Sequence, residues 1–303
     1  MAGPIPFVRD IVFEYGVPDR LSPRVRRVIA RNPGPFTFTG TGVYIVGNGE
    51  VAVIDPGPDT EENFEAIKAA VAGETITHVL VTHSHMDHSP LAHPLARWAG
   101  CEVYAGGPAI PTESEVRMEA GDDLSFRPDV TVREGDVFRG PDWTIRAIAT
   151  PGHTSNHYCW WLAEEDAIFS GDHVMGWSTT VISPPDGHMG DYIASLEKVR
   201  DLGLVALYPT HGPPVLGDVT GFLQAYIDHR RKRERAILDR LSAGDTSIPQ
   251  MVSTIYADVD RRLHPAACHS VLAHMIWLVE QGLVAADRAP GIDAAYALAR
   301  EPA

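Results

Sequence analysis

Residues 82–90 read THSHMDHSP, directly after the apolar run HVLV at 78–81. His83, His85, Asp87 and His88 are all metal-ligating types, crowded onto one short loop. Side chains two apart in an extended segment point to the same side. His83 and His85 therefore face one point, and Asp87 and His88, where the chain turns, face a second. The same grammar recurs along the chain. WTIRAIATPGH runs into His153, AIFSGD into Asp172, LVALYPTHG into His211 and VAVIDPG into Asp55. Each potential ligand stands just past an apolar strand-like run, where rigid strands fix the loops that carry chemistry. The set divides naturally into His83, His85 and His153 for one metal and Asp87, His88 and His211 for another, with Asp172 able to bridge both. Imidazole and carboxylate donors without a cysteine suit Zn²⁺, with Mn²⁺ or Fe²⁺ as alternatives. Two divalent ions side by side can lower the pKa of a bridging water from near 16 towards about 7. A hydroxide nucleophile is then available at neutral pH, and no serine or cysteine nucleophile is required.

These ligands need elements to position them. The runs YIV and VAVID around the turn GNGE predict a hairpin at 44–55, because Asn-Gly between apolar runs is a strong hairpin signal. Asp59 or Thr60 can cap a helix over about 61–72, with Phe64, Ile67, Ala70 and Val71 on one face. A strand at 78–81, a helix around 91–99 and a strand at 102–105 follow. Residues 130–182 read mostly as strands, Asp191 opens a helix, and 204–209 is strand-like again. Residues 5–35, rich in Pro and Arg, are expected to form an extended lead-in packed on the surface. The alternation predicts a layered α/β domain. Past the Pro/Gly-rich connector near 212, three helices are expected, at about 220–242, 248–257 and 265–282. The boundary falls between 1–217 and a small helical domain at 218–303.

The ligand motifs carry a family resemblance. HSHMDH matches the His-x-His-x-Asp-His motif of the metallo-β-lactamase superfamily, and Asp55, His153, Asp172 and His211 match its other motif positions in order. The resemblance covers about residues 30 to 215. It implies an αββα sandwich with a dinuclear metal site at one edge, and a role for Asp55 in orienting the metal loop without touching metal. Asp172 stands where the commonest true β-lactamases have cysteine. The diiron flavoprotein members have Glu in place of His85. The tRNA-processing nucleases carry long insertions not seen here, and glyoxalase II enzymes end differently. The tail, from SPPDGHMGDYIASLEKV through FLQAYIDHRRKRERAIL, resembles the beta-lactamase-like protein 2 group, in which a small winged-helix domain closes the chain. That group includes single-strand RNA endonucleases, and related enzymes act as thioesterases in polyketide release.

The expected activity is hydrolysis by a metal-bridging hydroxide of small esters or thioesters. Single-strand RNA cleavage is the alternative, ahead of β-lactamase, glyoxalase II-type or non-catalytic metal-binding roles. Asp87 is expected to hold its metal and pass a proton to the leaving group. Trp177, His188 and Tyr192 are candidate pocket residues, because loops between ligands often form a pocket wall. His157 is read as a structural hydrogen-bonding residue, and His78, His93, His229, His264, His269 and His274 as surface or helix-packing residues. The run HRRKRER at 229–235 reads as a solvated helix face.

A net charge of −15 opposes broad polyanion binding and favours a small-molecule substrate. The segment PAACHSVLAHMIWLVEQG has no Lys or Arg, which argues against duplex DNA as a partner. Three scattered cysteines, no apolar run of membrane-spanning length and no secretory signal lead to the expectation of a cytoplasmic protein with no membrane partner. Pairing with a second copy is compatible with the sequence.

Overall fold

The computed structural model describes residues 4–110 and 121–299; residues 1–3, 111–120 and 300–303, which include both ends of the expected domain ranges, lie outside the description. Two sheets stack face to face. The first has seven strands in sequential order: β1 (Asp19–Arg20), β2 (Val25–Ile29), β3 (Gly42–Val46), β4 (Glu50–Ile54), β5 (Thr75–Leu80), β6 (Glu102–Ala105) and β7 (Val130–Thr131). The second runs from β8 (Val137–Arg139) through β9 (Thr144–Ala149), β10 (Tyr158–Leu162), β11 (Ala167–Gly171) and β12 (Ala206–Pro209) to β13 (Val215–Leu216). β4 to β7 pair in parallel, as do β11 and β12; the other pairs are antiparallel.

Side-chain alternation assigns the layers. In β3, Val43 and Ile45 point outward to α1 (Glu61–Ala70) and α2 (Ala92–Ala99), and Tyr44 and Val46 point inward to the second sheet. Val51 and Val53 of β4 face outward, Ala52 and Ile54 inward. In the second sheet Trp160, Leu162, Phe169 and Tyr208 face inward, while Cys159, Ile168 and Leu207 face α3 (Met189–Arg200) and α4 (Val219–Ser242). Strands buried on both faces must be apolar at successive positions, which is why YIV and VAVI do not alternate with polar residues. The result is the expected αββα sandwich. At one end, Tyr44 Oη donates to Pro209 O at 2.6 Å and Gly42 N to Thr210 O at 2.8 Å, tying the two sheets together beside the ligand loops.

Several local expectations are corrected. The lead-in packs against α4 only in part: Phe7 meets Phe222 and Tyr226, whereas residues 19–29 are strands of the first sheet with Val25 and Val28 wholly buried. The arginines in VRRVI hid that strand; they end in polar contacts instead of solvent, Arg27 on Asp19 and Arg26 on Glu74. α3 starts two residues before Asp191, because the His188 side chain caps it by accepting from Asp191 N. Thr60, not Asp59, caps α1.

The C-terminal region contains α5 (Ile248–Ile255), opened by a capping box between Ser247 and Gln250, and α6 (His264–Glu280). It also contains a hairpin, β14 (Val284–Ala286) with β15 (Tyr296–Leu298), which is the wing of the expected winged helix, at positions that the residue pattern did not mark. Three-residue strands with mostly exposed side chains leave no periodic signal. α4 belongs to both cores: Phe222, Leu223, Tyr226 and Ile227 pack on the sandwich, Ile237 and Leu241 on α5 and α6. Trp277 of α6 lies against Gly190 of α3, where any side chain on 190 would collide with the indole ring. No described helix is long and apolar enough to cross a membrane.

His274 is fully buried between α4 and α6, and neither of its ring nitrogens has a hydrogen-bond partner. Burial first, then the positive Arg230 and Arg233, hold its pKa well below the ordinary value. A lowered folded-state pKa means that the unfolded chain binds the extra proton as pH falls below the ordinary histidine range. Stability is therefore lost on acidification. His274→Leu should remove one proton from this linkage, so that between about pH 6.5 and about pH 5 its stability falls less steeply than wild type by ~1.4 kcal/mol per pH unit. Denaturant melts across that window, with parallel slopes as the contrary result, check it.

Candidate metal centre

The candidate ligand residues come from four loops, all at one edge of the sandwich. His83, His85, Asp87 and His88 follow β5, His153 follows β9, Asp172 follows β11 and His211 follows β12. The ring nitrogens and carboxylate oxygens of His83, His85, His153 and Asp172 converge within 4.8 Å of one another, and so do those of Asp87, His88 and His211. All are buried. Asp172 belongs to both groups by distance: Oδ2 lies 4.0 Å from His153 Nε2 and 3.6 Å from His88 Nε2, and Oδ1 lies 3.4 Å from His211 Nε2. Asp87 Oδ2 is 3.1 Å from His211 Nε2, and its Oδ1 is 3.6 Å from His88 Nε2.

The imidazoles are turned by partners behind them. His88 Nδ1 lies 2.9 Å from Asp55 Oδ2, His153 Nδ1 2.8 Å from Val181 O, and His211 Nδ1 3.2 Å from Gly40 O. Each acceptor fixes Nδ1 as the protonated nitrogen and leaves Nε2 as a lone-pair donor aimed into the centre. His83 differs: Thr82 Oγ1 lies 3.0 Å from its Nδ1, and its Nε2 is 2.9 Å from His85 Nδ1.

Asp55 takes part in four contacts without joining either group. Its Oδ1 accepts from Thr82 N at 2.7 Å; its Oδ2 accepts from Thr82 Oγ1 at 2.7 Å and from Thr210 Oγ1 at 2.9 Å, and also faces His88. It adopts φ +47°. A left-handed non-glycine residue costs roughly 1–2 kcal/mol, and these charge-assisted hydrogen bonds, ~1.5–3 kcal/mol each, outweigh it. Thr82 and Thr210 were not singled out by sequence reasoning. The repeated Thr-His pair, 82–83 and 210–211, was the signal available.

Electrostatics supports a cation site. Burial opposes ionisation of Asp87, but His88 and His211 prevail and hold its carboxyl at about 2. Asp172 is likewise held low, burial being outweighed by His211 and His88. Conversely, burial pushes His88 and His211 down, and the carboxylates of Asp87 and Asp172, with Asp55 added at His88, raise both. His83 is lowered well below the ordinary value, and His85 to about 3, by burial and then by neighbouring imidazoles. Two buried carboxylates require a counter-charge. Protons on His88 and His211 can supply it, and a divalent cation can replace them, so cation binding and proton release are coupled. His88 Nε2, His211 Nε2 and Asp172 Oδ1 are buried without a well-aligned hydrogen bond. Unsatisfied donors of this type, converging with no thiolate among them, fit Zn²⁺ or a similar divalent ion.

The other candidates lie around this centre in different ways. Trp177 stacks on Phe38, ring centroids 4.9 Å apart, beside Gly212 and so next to His211. His188 is partly exposed and bonds Glu280 at 2.8 Å. Tyr192 is wholly buried, with its hydroxyl donating to His173 O at 2.8 Å, so its ring is a core residue and lines no open wall. His157 lies 2.8 Å from Thr150 Oγ1 through Nδ1, with its ring 5.1 Å from that of His83. Sequence reasoning missed Asp122, whose Oδ1 is 3.6 Å from His85 Nε2, because nothing in GDDLS announces a return to the metal loop. The run HRRKRER is also not a solvated face throughout: Arg230 is buried, Arg233 stacks on Tyr256 at 4.0 Å, and Arg231 pairs with Glu197 at 2.5 Å.

Asp55→Asn keeps the volume but removes the charge that faces His88. The variant should bind Zn²⁺ about 10–100-fold more weakly, as expected when a partner behind a ligand is lost. Competition against a chromogenic chelator measures this, and unchanged affinity would remove Asp55 from the centre.

Residues 37–211 match the metallo-beta-lactamase superfamily and residues 247–291 the beta-lactamase associated winged helix domain. The chain is 34% identical over 272 residues to the beta-lactamase-like protein 2 homolog of Caenorhabditis elegans, covering 88% of each chain. It is 30% identical over 293 residues to an atrochrysone carboxyl ACP thioesterase of Cryptosporiopsis sp., covering 90% of this chain and 85% of that one. A beta-lactamase domain protein from Burkholderia ambifaria shares the fold, with a TM-score of 0.76, 19% identity and 96% of each chain covered. The chain thus belongs to the metallo-beta-lactamase superfamily, as a hydrolase of that fold with a C-terminal winged-helix domain.

Proposed function

We propose that the chain is a dinuclear metal-dependent hydrolase of small esters or thioesters. The observation that carries this is Asp172, whose two oxygens reach towards both histidine groups at once. His83, His85 and His153 would hold one ion, and Asp87, His88 and His211 the other. Two such ions would supply an activated water at neutral pH and polarise the substrate oxygen.

The chain's own residues do the rest. The acceptors at Asp55, Val181 and Gly40 hold three imidazoles in one tautomer, so that no proton has to move before substrate binds. Asp87 is ionised and reaches His211 through Oδ2, which places a carboxylate where it can take a proton and return it to the leaving group. Trp177, stacked on Phe38 beside Gly212, offers an aromatic wall to the substrate, and His188 sits further out at the start of α3. We assign catalysis to residues 1–217 and the winged-helix-like part to 218–303, with α4 spanning from one to the other.

Three observations favour an acyl substrate over RNA. A relative aligned over most of its length is named a thioesterase. The net charge is −15. Of the basic run on α4, Arg230 is buried and Arg233 stacks on Tyr256, so only Arg231, Lys232 and Arg235 remain exposed to track phosphates, and Arg231 is paired with Glu197.

Turnover of an acyl thioester and of a labelled single-stranded RNA, side by side with Zn²⁺ or Mn²⁺, tests the reading. Thioester hydrolysis should be abolished by chelator and lowered at least ~100-fold in His85→Ala, the loss expected when several kcal/mol of transition-state stabilisation go with an ion. Chelator-sensitive RNA cutting with an untouched thioester would replace the proposed substrate class by phosphodiesters.

A further inference from the structure

Arg230 is the one residue of the basic run that is buried, and the described residues offer no carboxylate paired with it. A buried cation with no carboxylate partner is costly, and its other contacts must offset that cost. Its contacts are specific. Nη2 donates to Thr180 O at 2.5 Å, and the guanidinium lies 5.1 Å from the Tyr192 ring centroid. Tyr192 in turn donates to His173 O.

Thr180 sits between two metal-ligating residues in the contact network. Its hydroxyl lies 2.8 Å from Asp172 O and 3.1 Å from His173 O, and the next carbonyl, Val181 O, is the acceptor behind His153 Nδ1. One turn earlier on α4, Tyr226 Oη lies 2.7 Å from Met175 O and 2.6 Å from Ser178 O and accepts from Met175 N. The segment between Asp172 and Val181 has no helix or strand of its own. Side chains of α3 and α4 hold it in place of a backbone ladder.

We propose that Arg230 is a positioning residue for the metal centre: it fixes the Thr180–Val181 peptide, and through it the orientation of His153 and the backbone of Asp172. α4 ends in the core of the winged-helix domain through Ile237 and Leu241. Seating of that domain on the sandwich is thereby coupled to ligand geometry. This rests on the metal-centre reading above and assigns a task to a helix that lies outside the ligand motifs.

The test uses the full chain with Zn²⁺ and Co²⁺ as probes. Arg230→Met and Thr180→Val should each weaken Zn²⁺ binding about 10-fold in chelator competition and alter the visible absorption of the Co²⁺-loaded protein. Thr180→Ser, which keeps the hydroxyl, should restore both. A residue that merely docks the two domains would lower the melting temperature of the metal-free chain without moving the Co²⁺ spectrum. Wild-type affinity and spectrum in both Arg230→Met and Thr180→Val would overturn the inference. If Arg230→Met does not fold, Arg230→Lys, which keeps the charge but lacks the guanidinium fork that reaches Thr180 O, takes its place with the same two outcomes. Failure of the wild-type chain to bind either ion overturns the metal-centre reading itself, which is a separate result.

Discussion

The carboxylate of Asp55 is the point at which the ligand loops are joined. It sits at the end of β4 and holds Thr82 and Thr210, the residues immediately before His83 and His211, while facing the imidazole of His88. Candidate metal ligands separated by more than a hundred positions are therefore referred to one buried charge. Its left-handed backbone places both oxygens where four groups reach them. Without that charge the β5 and β12 loops would share the sheet-end contacts but not a common origin, and imidazoles displaced by a fraction of an ångström lose a shared focus.

The sandwich makes this arrangement rigid. Both faces of both sheets are covered, so the strands cannot slide without exposing apolar side chains. The loops at the strand ends inherit that rigidity, and the Tyr44–Pro209 and Gly42–Thr210 hydrogen bonds lock one sheet to the other at the site's own edge. The centre concentrates charge that the core would otherwise reject. Asp87 and Asp172 are held low by the imidazoles of His88 and His211, and the carboxylates in turn raise the pKa of those imidazoles. Such mutual dependence leaves the two groups one charge exchange away from holding cations.

The C-terminal module is joined to the centre through side chains more than through the chain itself. α4 crosses from one core to the other, and α6 sets Trp277 onto Gly190 at the start of α3. α3 and α4 between them carry Tyr192, Tyr226 and Arg230, which pin the irregular segment after Asp172. The winged helix thus meets the sandwich through α6, whose Trp277 lies on Gly190 and whose Glu280 bonds His188.

Ligand types were legible in the sequence because metal chemistry restricts them. Histidine and aspartate at strand ends, in a fixed order, can be recognised without coordinates, and so can the sandwich, since strands with two buried faces must be apolar throughout. The hairpin at Asn48–Gly49 and the long helices followed from local turn and periodicity rules. Tertiary structure decided what depends on distance between segments remote in sequence. It seated β2 in the sheet despite its arginines, because their charges found partners at Asp19 and Glu74. It brought Asp122 to His85 and buried Arg230 out of an apparently solvated run. Helical periodicity marks which side of α4 is inward, but not what lies across from it. Only the packing of α4 against residues 172–182 determined that a positive charge there meets a carbonyl next to the partner of a candidate ligand, His153.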